Sequence, residues 1–457
     1  MSDARVKPLN DEPERSGQYV LYWMQQSQRE SSNPALEIAI AEANRLGLPV
    51  LVGFGLTASY PDANARHYTF MLEGLKDVRD ALTKRNIGFE VHLGSPDEIA
   101  LKLARHAAMV VCDRGYLRHQ KEWRSNVAKL AGRRVIQVEG DVLVPVDLVS
   151  GKAEIAARTI RPKILKLRED FLVPLERVTP KVAALPVSLQ SIDIVDIPAL
   201  ISKLNADRNI GPTRRFKGGT ERAKRRLAAF VGETLQNYAE GRREPANEQV
   251  SFLSAYLHFG QISPLEIALA VQEADAPVND RKSYLDELII RRELAMNFVE
   301  HQADYDSYSC LPQWAKDTLH LHRTDHRPHT YSDEQLARAE THDPYWNAAM
   351  KEMRYTGYMH NHMRMYWGKK ILEWSSDPEQ AFRTALTLNN RYFLCGRDAN
   401  SYANIAWCFG LHDRPWPERP IFGKVRSMTA SGLERKVDID AYVRRVDVIA
   451  NVEETDL

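Results

Sequence analysis

Two hydroxyls stand three residues apart in the run Ser251-Phe252-Leu253-Ser254-Ala255-Tyr256-Leu257-His258-Phe259-Gly260-Gln261-Ile262-Ser263. On one side of a helical first turn, Ser251 and Ser254 would join backbone N–H groups that lack partners within the helix, and such an array holds phosphate. The same pair would serve equally as a double cap on an ordinary amphipathic helix. Tryptophan placement is the second signal. Five of the eight tryptophans fall between Trp346 and Trp416, and Trp367 and Trp374, seven apart, stack two turns apart on one helical face. Rings so spaced usually just pack a core. Glu287 stands four residues before Arg291, the spacing of an ion pair on a solvated helix.

Other chemistries lack their residues. His360 and His362 flank Asn361, and that spacing does not bring two ligands to one helical face, so no metal site is expected. His320, His322, His326 and His329 fall in a polar stretch and are expected to stay solvated. There is no Ser-His-Asp or H-E-x-x-H arrangement to drive hydrolysis. Cys112, Cys310, Cys395 and Cys408 are scattered without a C-x-x-C pair, which disfavours a zinc ribbon or an iron–sulfur cluster and fits free thiols in a reducing compartment. The net charge of +1 announces no polyanion binder in bulk, so any such partner would meet local basic runs at 158–168, 214–226 and 424–445. Each of those runs could also be a solvated helix face. No stretch is long and apolar enough for a membrane span and the first 16 residues lack a signal-like centre, so a cytoplasmic protein is expected (nuclear in a eukaryotic source).

The elements that must position these groups fall into two kinds. Short apolar runs at 19–23, 49–56, 88–93, 109–112 and 134–138 read as strands, and helical patterns at 33–46, 66–85, 96–106 and 118–130 separate them. That alternation predicts a doubly wound parallel α/β sheet. The first of these strands is followed by Gln25-Gln26-Ser27-Gln28-Arg29 and not by G-x-G-x-x-G, which disfavours a nicotinamide dehydrogenase. Beyond Gly211 the pattern is helical almost throughout, with Gly260 ending one helix and Ser263-Pro264-Leu265-Glu266 opening the next. The expected organisation is a flexible tail over 1–16, an α/β domain over 17–142, a Pro-punctuated surface linker over 143–210 and an all-helical domain over 211–457.

S-x-L-S-x-Y-L-H-F-G-x-I-S resembles the flavin-phosphate signature of the photolyase/cryptochrome superfamily. Further matches follow in order along nearly the whole chain: Arg158-Thr159-Ile160-Arg161-Pro162-Lys163, Arg292-Glu293-Leu294, Met363-Arg364-Met365-Tyr366-Trp367, Gly396-Arg397-Asp398 and His412-Asp413-Arg414-Pro415-Trp416. They resemble the class II cyclobutane pyrimidine dimer (CPD) photolyases. The resemblance implies FAD bent within the helical domain, active in its reduced form, with Tyr238, Ser251, Phe252, Leu253, Ser254, Arg292, Arg364, Asn389 and Cys395 at the cofactor. It implies Trp367, Trp346 and Trp374, from flavin outward, as an electron-transfer triad. Glu287, Arg291, Met365 and Trp407 are implied at the flipped-out dimer, and Asn389 (with Asn390 beside it) facing flavin N5. One departure stands out: Leu394-Cys395-Gly396-Arg397-Asp398 carries a thiol where the class II pattern has an aspartate that pairs with the arginine matched by Arg364. A thiol carries no charge at neutral pH unless its pKa is strongly lowered, so Arg364 is expected to turn to the flavin or to another acid.

The activity so implied is light-driven repair of pyrimidine dimers in DNA by a lyase without net redox change. The partner is DNA, the protein a monomer, and the α/β domain the seat of an antenna pigment of the deazaflavin type. The alternative is a cryptochrome-like blue-light photoreceptor that holds FAD without repairing.

Overall fold

A computed structural model describes residues 3–186 and 190–454. Six strands form one sheet: β1 (Val6–Pro8), β2 (Tyr19–Trp23), β3 (Val50–Leu56), β4 (Gly88–Leu93), β5 (Ala107–Asp113) and β6 (Val135–Val138), in the spatial order β1-β6-β5-β2-β3-β4. All neighbours are parallel except β1, which runs antiparallel to β6. The helices α1 (Pro34–Leu46), α2 (Ala65–Lys84), α3 (Pro96–Ala104) and α4 (Arg118–Leu130) cover the two faces. β2 shows why both faces are covered. Val20 and Tyr22 enter a core with Ile40 and Leu75, while Leu21 and Trp23 enter another with Ile99 and Val127, the period-two alternation of a strand buried on both sides.

The remaining chain is helical: α5 (Val146–Val149), α6 (Ala157–Phe171), α7 (Ile197–Leu204), α8 (Thr220–Ala229), α9 (Tyr238–Gly241), α10 (Ser254–His258), α11 (Pro264–Glu273), α12 (Val278–Leu285), α13 (Arg292–His301), α14 (Gln313–Leu321), α15 (Asp333–Arg338), α16 (Pro344–Thr356), α17 (Asn361–Trp374), α18 (Pro378–Tyr392), α19 (Ala399–Cys408), α20 (Ala430–Glu434) and α21 (Ile439–Glu454). Wider π-helical turns precede α9 at Phe230–Thr234 and α13 at Asp286–Arg291. The largest core cluster lies here, built on Trp346, Met350, Tyr366, Trp367, Phe382 and Phe409.

Two segments depart from expectation. Within residues 1–16, expected as a flexible tail, Val6–Pro8 pairs with β6, and the buried Arg5 side chain donates to the carbonyls of Glu139, Val142 and Leu143. Unpaired β6 would otherwise expose a row of backbone groups. Residues 143–210, expected as an ordered linker wrapped on the surface, carry three helices among the described residues, and these pack into both halves. Ile160 and Ile164 of α6 pack with Phe216 and Leu227, whereas Ile197, Leu200 and Ile201 of α7 pack beside the sheet.

One close approach of the halves is at Gly260. Its φ is +65°, and a Cβ there would lie 1.8 Å from the Gln26 carbonyl oxygen in the loop after β2. Arg29, fully buried, ties the contact by donating to the Gly260 and Gly140 carbonyls.

Candidate functional site

A cleft of about 790 Å³ in the helical half is lined by Tyr238, Ser251, Leu253, Ser254, Leu257, Tyr284, Glu287, Leu288, Arg292, Arg364, Cys395, Asp398, Asn400 and Asn404. Eight of the residues expected at cofactor or substrate are therefore brought together from five separate segments. The two serines meet differently from the helical-turn expectation. Phe252 takes a left-handed φ of +53°, so only Ser254 is helical and Ser251 precedes the turn, its Oγ 3.1 Å from the Tyr284 hydroxyl. Phe252 does not line the cleft. Its ring packs on Tyr358 and Phe216.

The two arginines of the cleft are in opposite states. Arg292 is engaged: one Nη donates to Asp141 Oδ1 at 2.5 Å and the other to the Asp141 carbonyl. Arg364 makes no ion pair among the described residues. Its Nη2 lies 3.6 Å from Cys395 Sγ, its guanidinium sits 3.8 Å from the centre of the Phe393 ring, and its buried Nε has no partner. Of the two partners expected for Arg364 in place of the missing aspartate, another acid is not found within ion-pair distance among the described residues. Burial raises the Asp398 carboxyl, with the Ser401 N–H and the two arginines pulling the other way. Asp398 also caps α19 through Ser401 N. Its cleft role went unassigned in the sequence although Gly396-Arg397-Asp398 is a conspicuous run. Asn400, Asn404 and Tyr284 had no signal of their own.

Asn389 and Asn390 are now distinguishable. Asn390 is saturated, donating to Asp62 Oδ2 at 3.0 Å and accepting from Asn389 Nδ2 and Arg397 N. Asn389 is fully buried and its Oδ1 has no partner. Both backbone carbonyls crowd Gly396, where a Cβ would come within 2.8 and 2.9 Å of them.

Behind Arg364, one turn along α17, begins a chain of rings. Trp367 and Trp346 are stacked with centroids 6.5 Å apart and planes 10° from parallel, and Trp346 meets Trp374 edge-on at 5.4 Å. Trp346 Nε1 donates to the Trp367 carbonyl, while Trp367 Nε1 is buried without a partner. Trp374 is the outermost of the three but lies under Tyr331 and His342. His322, expected solvated, is instead held between Asp325 and Glu418.

At the mouth of the cleft, Glu287 pairs with Arg242 at 2.8 Å and not with Arg291. The π-helical turn explains this, since it makes residues five apart neighbours and brings Arg291 to Asp286 at 3.7 Å. Arg291 is exposed and outside the cleft. Met365 and Trp407, also outside the cleft lining, are half-buried on α17 and α19, Trp407 one turn beyond Asn404.

A second cavity, about 910 Å³, opens above the carboxyl ends of β2, β3 and β5. That is the point where the strand order reverses, the usual ligand crevice of an open parallel sheet. Its walls include Gln26, Phe54, Tyr60, Trp123, Phe259 and Arg397, and it shares Leu257, Arg292 and Asp398 with the cleft. Arg397 makes no ion pair among the described residues and has an unpartnered buried Nε. Burial and Arg397 push His258 well below its ordinary pKa, and burial, Arg397 and Arg118 push His119 down to about 4. The loop after β2 cannot offer its amides here. The N–H groups of Gln25, Gln26 and Ser27 all donate to Asp113 Oδ2 at 2.9–3.0 Å.

The cleft thus combines serine hydroxyls, an uncompensated arginine and an acid, backed by stacked indoles, while the unpartnered amide oxygen of Asn389 is buried outside its lining. The set fits a phosphate-bearing redox ring system such as FAD. Comparison with known proteins agrees. Residues 20–181 match the family described as DNA photolyase. A deoxyribodipyrimidine photo-lyase of Methanothermobacter thermautotrophicus is 48% identical over 446 residues, covering 97% of this chain and 98% of its own length. In fold, the chain is similar to a class III photolyase of Agrobacterium tumefaciens (TM-score 0.74, 22% identity, 94% of this chain and 87% of that one). It is likewise similar to a photolyase of Sulfolobus tokodaii described with two FAD molecules (TM-score 0.69, 14% identity, 96% and 94%). With near-complete coverage of a relative at that identity, the chain belongs to the DNA photolyase family.

Proposed function

We propose that this protein is a class II-type enzyme that uses blue light to split cyclobutane pyrimidine dimers in DNA. The observation that carries the reading is the ring chain Trp367–Trp346–Trp374 leading away from a cleft with unpartnered buried polar atoms. When bound, reduced FAD supplies the light-excited one-electron donor. The chain's own part is to hold and insulate. Ser251 and Ser254 take the cofactor phosphates, Arg364 supplies positive charge to the ring system, and Asn389 Oδ1 accepts a ring N–H. Glu287, held by Arg242, hydrogen-bonds a pyrimidine and steadies charge on the split dimer, while Trp407 and Met365 replace the stacking lost by a flipped lesion. Lys424, Arg426 and Lys436 contact the phosphate backbone without reading sequence.

The indoles pass an electron inward when the resting cofactor is oxidised, then stand idle during repair. The crevice above the sheet, walled by Tyr60 and Trp123, is the place for an antenna pigment of the deazaflavin type. We read the molecule as a cytoplasmic monomer divided near residues 142 and 210, with α6 and α7 packing on opposite halves in support of a connector.

The test is blue-light repair of a thymine-dimer oligonucleotide by the photoreduced protein, with a dark control. Light-dependent recovery of intact thymines is expected. Bound flavin that photoreduces without any repair would instead favour a photoreceptor.

A further inference from the structure

Successive lysines on α17 face different indoles under different electrostatic conditions. Lys370 Nζ lies 5.8 Å from the centre of the Trp374 ring, but it is ion-paired with Glu373 at 2.8 Å, so its charge is compensated. Lys369 is fully buried, lies 5.2 Å from the centre of the Trp407 ring and makes no ion pair among the described residues. Its ammonium donates to the Cys408 carbonyl, at the end of the helix that carries Trp407. Arg426 adds a second cation 5.8 Å from the same ring. Taking an electron from an indole leaves it positive, and a fixed cation nearby in a poorly polarisable interior opposes that charge.

We propose that Lys369 is a positioning residue for electron flow: its uncompensated ammonium makes Trp407 hard to oxidise and confines electron donation to the Trp367–Trp346–Trp374 chain. The inference rests on the flavin photochemistry proposed above. It gives the wall against which a lesion would stack a reason to be an inert indole and not a competing donor. The step held in check is a transfer of one electron from the Trp407 indole to the photoexcited oxidised flavin, followed by loss of the indole N–H proton to water.

The experiment uses the full chain with oxidised flavin bound, under blue light without added reductant. Trp367→Phe cuts the main chain of rings and should photoreduce slowly. Adding Lys369→Met should speed photoreduction at least about tenfold, and peptide mass spectrometry should place the oxidised indole at Trp407. Adding Lys369→Arg, which keeps the charge, should leave the slow rate unchanged. Burial draws the Lys369 ammonium down to about 8, so Trp367→Phe alone should gain rate between roughly pH 7 and 9. The other titratable or charged groups that face Lys369 are Cys408 of α19, whose thiol burial pushes up to about 11, and Asp413 and Arg426 of the following loop. This arm decides the matter if the methionine variant does not fold. A double variant as slow as Trp367→Phe, oxidation mapped elsewhere, or a flat pH profile would overturn the proposal. Failure of the unmutated protein to photoreduce would instead overturn the flavin reading beneath it.

Discussion

The cleft at Ser251–Ser254 and the crevice above the sheet share the side chains of Leu257, Arg292 and Asp398, yet they treat charge in opposite ways. In the cleft, hydroxyls, an acid and the cation Arg364 open toward one space. In the crevice, polar groups are turned on each other or neutralised by burial, and the walls are aromatic: Tyr60 meets His119 at 4.8 Å, and His119 meets Trp123 at 5.0 Å. Arg397 is the exception, a fully buried cation above Tyr60. Two chromophores could thus be kept apart on one chain, one by charge and hydrogen bonds, the other mainly by stacking and shape.

The contrast is open to direct test by substitution. The largest effect belongs to the two arginines. Arg364→Met should weaken flavin retention about a hundredfold, the scale of a lost charge-assisted contact, whereas Arg397→Met should leave flavin in place and empty only the crevice. Equilibrium dialysis and the absorption spectrum separate the two outcomes, and flavin loss from both variants would mean the cavities are one site. Next is Glu287→Gln, expected to slow repair about thirtyfold with flavin content and photoreduction unchanged, as read by single-turnover repair kinetics. Cys395→Asp should then give Arg364 the carboxylate it lacks and lower the flavin potential by roughly 60 mV, a tenfold change for one electron. An unaltered spectroelectrochemical midpoint would show that this position does not tune the ring.

The smallest effect is on stability and belongs to the crevice side. His119 is held down to about 4, below its ordinary value, by burial first and by Arg397 and Arg118 next. A group depressed in this way is neutral when folded but takes a proton once unfolded, so stability is complete above about pH 6.5 and is lost as pH falls toward about 4. The loss should be on the order of 2 kcal/mol, seen as a falling urea midpoint, and His119→Gln should flatten it.

The sheet was legible in the sequence because strands buried on both faces are apolar runs, and helices between them fix the parallel order. Val6–Pro8 was not, being three residues long and mostly exposed, with only β6 to hold it. The residues that line the cleft were legible as motif positions, but their local geometry was not. The left-handed Phe252 and the π-helical turn at Asp286–Arg291 each moved a side chain off the face that regular helical spacing assigns. Arg242 and Asp398 escaped notice because their roles depend on partners 45 residues or more away in sequence, such as Glu287 and Arg292. The crevice left no contiguous trace at all, since its lining comes from the ends of three strands, from helices beside them and from three segments of the helical half.

Asp113 has a consequence for how a second chromophore would be kept. By drawing in the three amides after β2, it removes the groups that would grip a phosphate at the sheet's edge. A pigment in the crevice would then be held by the aromatic walls and the deeply buried cation of Arg397, and not by backbone amides open to dissolved ions. Washing the protein in concentrated phosphate should strip the cleft well before the crevice, leaving a molecule that still gathers light but has nothing to deliver it to.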